Sequence, residues 1–258
     1  MRASTKRFVP DEAESPDELA IALLHLYAYQ AAAELIHTGD HVLDVGFGEG
    51  YGAQILVSAG AEYLGLELDP ELVAHARERY GHAFDTYDGI RISAPDGTFD
   101  VVVSFQVIEH IPDPLPWLTE IRRVLEPKGR AIFTTPNRVY RVGDGERPWN
   151  RHHVREFTAE EFRALLGRVF SDVHVYGIRA SDEIESVVRA RAGRARKLAR
   201  IDRLGLRYRL PEGFDTRVRR MLRRARQPDV DRDRFTVEAL WHEEPADVGL
   251  DLLALARS

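Results

Sequence analysis

The chain of 258 residues contains no cysteine. Disulfides, thiolate metal sites and a cysteine nucleophile are excluded with it. Lysine is almost missing as well, standing only at Lys6, Lys128 and Lys197, so the basic charge rests on arginine. No apolar run approaches the roughly 18 residues that a membrane span needs. The basic residues 1–7 are not followed by an apolar stretch, and no secretory signal is expected. There is no internal repeat. The net charge of −6 gives no global attraction to nucleic acid or to an anionic membrane. These absences predict a cytoplasmic protein without a membrane partner.

What is present reads as a soluble α/β enzyme. Hydrophobic residues make up 44% of the chain and charged residues 30%. Leu19, Ala20, Leu23, Leu24, Tyr27, Ala31, Leu35 and Ile36 recur at helical spacing, which predicts a helical lead-in up to Thr38. Strands and helices then alternate. Strands are expected over 41–45, 63–68, 83–87, 99–105, 130–135 and 172–176. Helices are expected from 53, from 70 to 80, over 115–125 and from 158 to 169, the last with an acidic first turn. Such a rhythm predicts a doubly wound, Rossmann-like and mostly parallel sheet with helices on both faces. Residues 181–232 break it with arginine-rich helical sequence, and 250–256 read as a strand again. The expected units are an N-terminal helical lid (1–40), a core (41–180), an arginine-rich helical insertion (181–232) and C-terminal strands completing the sheet (233–258).

In an open α/β sheet a ligand sits beyond the carboxyl end of the first strand. There the chain reads Asp44-Val45-Gly46-Phe47-Gly48-Glu49-Gly50-Tyr51-Gly52. Glycine lets backbone approach a ligand closely, and Gly46, Gly48 and Gly50 fit that task. A dinucleotide fingerprint needs a third glycine at position 51, where Tyr51 stands. The spacing argues against NAD and for S-adenosylmethionine. Glu67 ends the second expected strand, about 20 residues on, where a carboxylate accepts hydrogen bonds from a ribose diol. Asp69 is the better helix cap, which leaves Glu67 for the ligand.

The run from Val42 to Gly52, with Gly65-Leu66-Glu67, the strand 99–104, Ile108-Glu109-His110 and the segment 129–137, resembles the class I S-adenosylmethionine-dependent methyltransferases. The resemblance covers roughly 42–176. It implies that Asp44, Gly46, Phe47, Gly48 and Gly50 border the methionine part of the cofactor. Glu67 and Leu68 then hold the ribose, Asp88 and Gly89 the adenine edge, and Gln106 lies close by. Phe47 departs from the small residue usual there. A narrower resemblance, to bacterial sugar and glycan O-methyltransferases of the methylmannose polysaccharide type, is carried by residues 6–10, 49–52, 105–110, 135–138 and 153–157. It implies a small-molecule or saccharide acceptor held by Arg7, Tyr27, Asn137, His153 and Arg155.

Methyl transfer to a hydroxyl needs positioning and removal of a proton. His110, after the fourth strand, is the candidate base or orienting group, and Glu109 its partner. The alternative is a structural histidine ahead of Pro112. In related enzymes acids near this position hold a divalent metal. Gln106 replaces one such acid here, so a metal is left open and not favoured. The arginines of the insertion (Arg189, Arg191, Arg194, Arg196, Arg200 and Arg203) are expected on a helix whose apolar side carries Val188, Ala195, Leu198 and Ile201. Aromatic residues are sparse among them, which argues against a nucleic-acid partner. A homodimer is left open. So are an N-methyltransferase acting on an amino sugar or other small amine, and a non-catalytic binding protein of this fold.

Overall fold

Strand β1 (His41–Val45) shows how the sheet is built. Its side chains alternate between two faces. Val42 and Asp44 point to one, Leu43 and Val45 to the other, and all four are buried. A strand buried on both faces needs helices on both sides. The computed structural model, which describes residues 13, 15–141, 148, 150, 152–201 and 235–257, supplies them.

The helix α1 (Pro16–Ala33) opens on Ser15, whose side chain accepts from the Glu18 N–H at 3.3 Å. It ends before the expected Thr38. The chain winds out through shorter bonds, Leu35 N–H to Ala32 and Ile36 N–H to Ala33. After β1 come α2 (Gly52–Ser58), β2 (Glu62–Glu67), α3 (Pro70–Tyr80), β3 (Phe84–Thr86) and β4 (Phe99–Phe105). The helix α4 (Pro114–Val124) and the long β5 (Leu125–Pro136) follow, then α5 (Arg138–Arg141), α6 (Ala159–Leu166) and β6 (Asp172–Ala180). The chain continues through α7 (Asp182–Ile201), β7 (Leu240–Glu243) and β8 (Asp251–Arg257). Asp69 caps α3, and Thr158 with Glu161 forms a capping box on α6.

The strands lie in the order β3-β2-β1-β4-β5-β8-β6-β7. The pairs from β3 to β5 are parallel. β8 inserts antiparallel between β5 and β6, and β7 runs antiparallel on the edge of β6. The Rossmann-like, mostly parallel sheet read from the sequence is therefore present. β5 starts at Leu125, earlier than expected, because its pairing with β4 shifts between Phe99 and Val101. The edge strand β7 is short and half-exposed, so it lacks the apolar pattern that would have marked it.

One face of the sheet packs Leu43, Val102 and Phe133 against Trp117, Ile121, Phe162 and Leu166 of α4 and α6. The other packs Val42, Val101, Val103 and Ile132 against Ala28, Ala32, Ala53 and Leu56 of α1 and α2. At the β6–β8 end, Ile178 and Leu253 meet Leu23 and Leu24 of α1 and Ile184, Val187 and Val188 of α7. The arginine-rich stretch thus begins as a core helix. Val188 is buried as expected, Ala195 is half-buried, and the Leu198 and Ile201 side chains lie outside the described residues. The rest of that stretch, 202–234, also lies outside them.

Strand order reverses at β1, which has β2 on one side and β4 on the other. The crevice beyond the carboxyl ends of β1 and β4 is the ligand position of this architecture. At the far end, β6 and the turn before β8 touch backbone to backbone. A Cβ on Gly177 would lie 2.7 Å from the Ala246 carbonyl and 2.8 Å from Gly249 Cα. Backbone cannot give way as a side-chain tip can. Gly177→Ala is therefore expected to destabilise the chain by about 1–3 kcal/mol, seen as a lower melting temperature in a thermal scan. An unchanged transition would contradict this packing.

Candidate active site

The loop between β1 and α2 takes its shape from glycine. Gly46, Gly48 and Gly50 have φ of 81°, 62° and 81°, which residues with a Cβ rarely adopt. A side chain on Gly46 would run into Val107, 2.5 Å away, whereas one on Gly48 would project into open space. That open side lies next to Glu67. The Gly48 N–H donates to Glu67 Oε2 at 3.1 Å and the Leu68 N–H to Oε1 at 2.7 Å. Burial raises the pKa of Glu67, and these backbone donors oppose the shift. The Leu68 side chain covers Gly89, whose own Cβ would come within 2.9 Å of it. Gly48, Glu67, Leu68 and Gly89 therefore adjoin one another at this end of the sheet.

Two other expected members of the site are placed differently. Phe47 is buried beneath the loop, its ring centroid 4.7 Å from that of Phe84. An aromatic ring gains more from that apolar floor than from an exposed pocket edge. Asp88 is exposed, and its Oδ1 accepts from the N–H groups of Ile90 and Arg91 at 2.8 and 2.7 Å. Those bonds close its own turn and lower its pKa.

Asp44 is fully buried at the end of β1. Its Oδ2 accepts from the hydroxyls of Tyr29 in α1, at 3.0 Å, and Tyr63 in β2, at 3.1 Å. Its Oδ1 has no hydrogen-bond partner. Burial pushes its pKa up to about 7, against the pull of the two hydroxyls. Tyr29 also lies on Gly52 at the start of α2 and meets the rings of Tyr51 and Phe105 edge-on. Neither tyrosine was singled out from the sequence. Tyr63 has a signal there, because parallel pairing of Val42 with Tyr63 puts it on the same face as Asp44. Tyr29 has none, since it arrives from a separate helix.

Beyond β4 the chain turns sharply. Gln106 has φ of 58°, and no other non-glycine residue described here has positive φ. Strain of this kind gathers at functional sites. Its amide donates to Asp251 Oδ2 at 3.2 Å, and Asp251 Oδ1 meets Arg141 at 2.8 Å. The short turn Ile108–His110 then carries the expected pair. Glu109 is fully buried; its Oε2 accepts from the Thr135 hydroxyl at 3.3 Å, and burial pushes its pKa up to about 8. His110 Nδ1 lies 2.9 Å from the carbonyl oxygen of His152. A carbonyl only accepts, so Nδ1 holds the proton and Nε2 the lone pair. Burial, then His153, push the pKa of His110 down to about 4 rather than to the near-neutral value expected. The ring is neutral at pH 7.

His153 joins this pair, its ring 4.8 Å from that of His110 and perpendicular to it. The backbone explains the approach, because the Glu109 carbonyl accepts from the N–H groups of Val154 and Arg155. His153 Nδ1 lies 2.8 Å from Glu156 Oε1, and burial lowers the pKa of the ring while Glu156 opposes this. Glu109, His110 and His153 are therefore one cluster. Asp251 and Arg141 border it, and neither was marked by a motif.

Other expected acceptor contacts lie elsewhere. Asn137 is buried and structural, donating to the Gly249 carbonyl at 2.8 Å and accepting from the Val139 N–H. Its amide ties the end of β5 to the turn before β8. Arg155 is exposed, over the Phe157 ring and 3.3 Å from Glu161, because Glu156 is taken by His153. The Tyr27 hydroxyl is 2.7 Å from His242 on β7, at the opposite side of the sheet from β2 and Glu67. Arg7 lies outside the described residues.

Residues 43–133 match the family model described as a methyltransferase domain. A probable S-adenosylmethionine-dependent methyltransferase of Mycolicibacterium smegmatis is 38% identical over 143 residues, 55% of this chain and 55% of the relative. A ubiquinone biosynthesis O-methyltransferase of Methylococcus capsulatus is 34% identical over 125 residues, 46% of this chain and 52% of that protein. The chain thus spans about half the length of the curated relatives it matches. Among solved structures the cyclase SpnF superposes with a TM-score of 0.57 at 18% identity, over 92% of this chain and 80% of its own, a likeness of fold. Residues 43–133 are thus similar to a methyltransferase domain, and the first of these relatives is named for its dependence on S-adenosylmethionine. No described helix is long and apolar enough to cross a membrane.

The Asp44 carboxyl generates a test. A folded-state pKa of about 7 lies above the ordinary 3.8. The folded chain therefore holds this proton while the unfolded chain has lost it. Its stabilising contribution is complete below about pH 4 and is lost as the pH rises to 7. Asp44→Asn cannot titrate. The difference in melting temperature between wild type and Asp44→Asn, followed from pH 4.5 to 8, is expected to shift in favour of the variant. A difference independent of pH would contradict the assignment.

Proposed function

We propose that the chain transfers the methyl group of S-adenosylmethionine to a hydroxyl of a small-molecule acceptor, with sugars and glycans as the favoured class. The observation that carries the donor half is Glu67, held by the Gly48 N–H across a glycine turn at the switch point of the sheet. A carboxylate so placed keeps further lone pairs for a ribose diol, and Tyr51 occupies the position where a dinucleotide turn needs glycine.

Hydroxyl transfer is supported by the name of the ubiquinone O-methyltransferase relative and by the cluster beyond β4. The neutral His110 has its Nε2 lone pair available to accept a hydrogen bond from an acceptor hydroxyl and orient it. Positioning of this kind accounts for much of the rate of an in-line displacement at a sulfonium. The surroundings also favour a neutral acceptor. Glu156 and Asp251 are acidic, and the nearby Arg141 is already paired with Asp251. An anionic group would meet like charge there.

Calorimetric titration with S-adenosylmethionine, S-adenosylhomocysteine and NAD tests the donor. The first two are expected to bind and NAD to fail. Glu67→Ala is expected to weaken S-adenosylmethionine roughly 10- to 100-fold, since hydrogen bonds to a charged group contribute about 1.5–3 kcal/mol. Binding of NAD alone would remove the reading.

A further inference from the structure

We infer that Arg196, on the arginine-rich helix α7, is a positioning residue for the turn after β4. It acts through α5, Arg141 and Asp251 on Gln106, whose strained backbone opens that turn. What His110 does there rests on the methyl-transfer reading above; the brace itself rests on hydrogen bonds alone.

The helix α5 needs an outside partner. It has four residues, about one turn, and the last four carbonyls of a helix have no partner within it. Its start is held by Asn137, whose Oδ1 accepts from the Val139 N–H and whose backbone carbonyl accepts from the N–H groups of Tyr140 and Arg141. Its end is held by Arg196, 55 positions beyond Arg141 in the sequence. One guanidinium reaches three carbonyls there. Nη2 donates to that of Val139 at 3.1 Å and to that of Tyr140, and Nε to that of Arg141 at 3.5 Å. A cation suits the carbonyl end of a helix, and the planar fork of arginine offers its donors in a fixed arrangement.

Arg141, the last residue of α5, passes this order on. Its Nη2 donates to Asp251 Oδ1 at 2.8 Å, and Asp251 Oδ2 accepts from the Gln106 amide at 3.2 Å. Asp251 is buried, and removing one partner of a buried ion pair leaves a charge that the interior does not tolerate. Gln106 has φ of 58°, a backbone state that its surroundings have to impose. The turn Ile108–His110 follows two residues later. The helix α7 is itself fastened at other points. Arg194 donates to both carboxylate oxygens of Asp17 in the first turn of α1, at 2.9 and 2.6 Å. Arg189 donates to Glu185 at 2.9 Å and lies over the Tyr140 ring of α5. Arg189, Arg194 and Arg196 are therefore engaged inside the molecule, and together they give the arginine bias of α7 a role in holding α1 and α5.

The test is nuclear magnetic resonance on the full chain labelled with 15N. Arg196→Ala is expected to shift the side-chain amide signal of Gln106 and to speed water exchange of the His110 Nδ1 proton at least about 10-fold. Backbone amides of β1, β2 and β3 are expected to stay in place, and affinity for S-adenosylmethionine to change by no more than about 2-fold. Arg196→Lys, which keeps the charge without the fork, is expected to fall between wild type and Arg196→Ala. Asp251→Asn keeps the side-chain shape, releases Arg141 and is expected to reproduce the shift. Adding Arg196→Ala to Asp251→Asn is expected to move the signals little further, because both residues lie on one path. Circular dichroism of every variant reports folding. A merely structural arginine would lower the melting temperature and leave the Gln106 and His110 signals of the folded protein unmoved. That result, or full additivity in the double variant, would overturn the inference. Failure of the wild type to bind S-adenosylmethionine would remove the donor reading and leave the brace standing.

Discussion

A carboxylate cannot be buried at the end of β1 without partners, and Asp44 is buried completely. Tyr29 and Tyr63 meet that requirement from two directions. To do so α1 must cross the sheet beside α2, and β2 must pair with β1 in the register that sets Tyr63 next to Val42. The Tyr29 ring closes over Gly52, where any Cβ would collide with it. The start of α2 is fixed by this contact, and with it the glycine turn. A hydrogen bond at the end of one strand thereby ties the N-terminal helix to the glycine loop. Its cost is a carboxyl group whose charged form is disfavoured near neutral pH.

The other side of the crevice follows a different rule. There the chain concentrates acids and histidines behind β4 and β5, and satisfies most of them pairwise. Asp251 takes Arg141 and the Gln106 amide, and Glu156 takes His153. Glu109 and Glu156 are each left with one bonded oxygen and one unbonded oxygen. Low dielectric makes such an imbalance expensive, and natural folds retain it mainly where a ligand or ion completes the set. The strained backbone of Gln106 lies within this network, which fits the same view.

The glycine loop and its contact with Glu67 were legible in the sequence because they are local. Loop, strand end and following helix are consecutive, and glycine and proline mark them without reference to the rest of the chain. Most of the sheet was legible for the same reason, down to the helix that Thr158 starts with an acidic first turn. The cluster of Glu109, His110 and His153 depends on long-range approach. His153 reaches Glu109 through backbone hydrogen bonds from Val154 and Arg155, and Asp251 reaches Gln106 across the β5–β8 pairing. Asn137 misled because a buried amide tying a turn has the same sequence signature as an amide facing a ligand. Arg155 misled because its apparent neighbour Glu156 is claimed by His153, which leaves the arginine to Glu161.

Architecture by itself does not settle the reaction. The cyclase SpnF shares this fold, and a fold fixes where a ligand can sit more firmly than what happens to it. The distinction must come from the groups that face the second reactant. In this chain the candidates are the neutral His110, whose Nδ1 is held by the His152 carbonyl, the buried Glu109, and His153 held by Glu156. On the reading proposed above, the Nε2 lone pair of His110 orients an acceptor hydroxyl, an interaction that a protein which merely bound S-adenosylmethionine would not need.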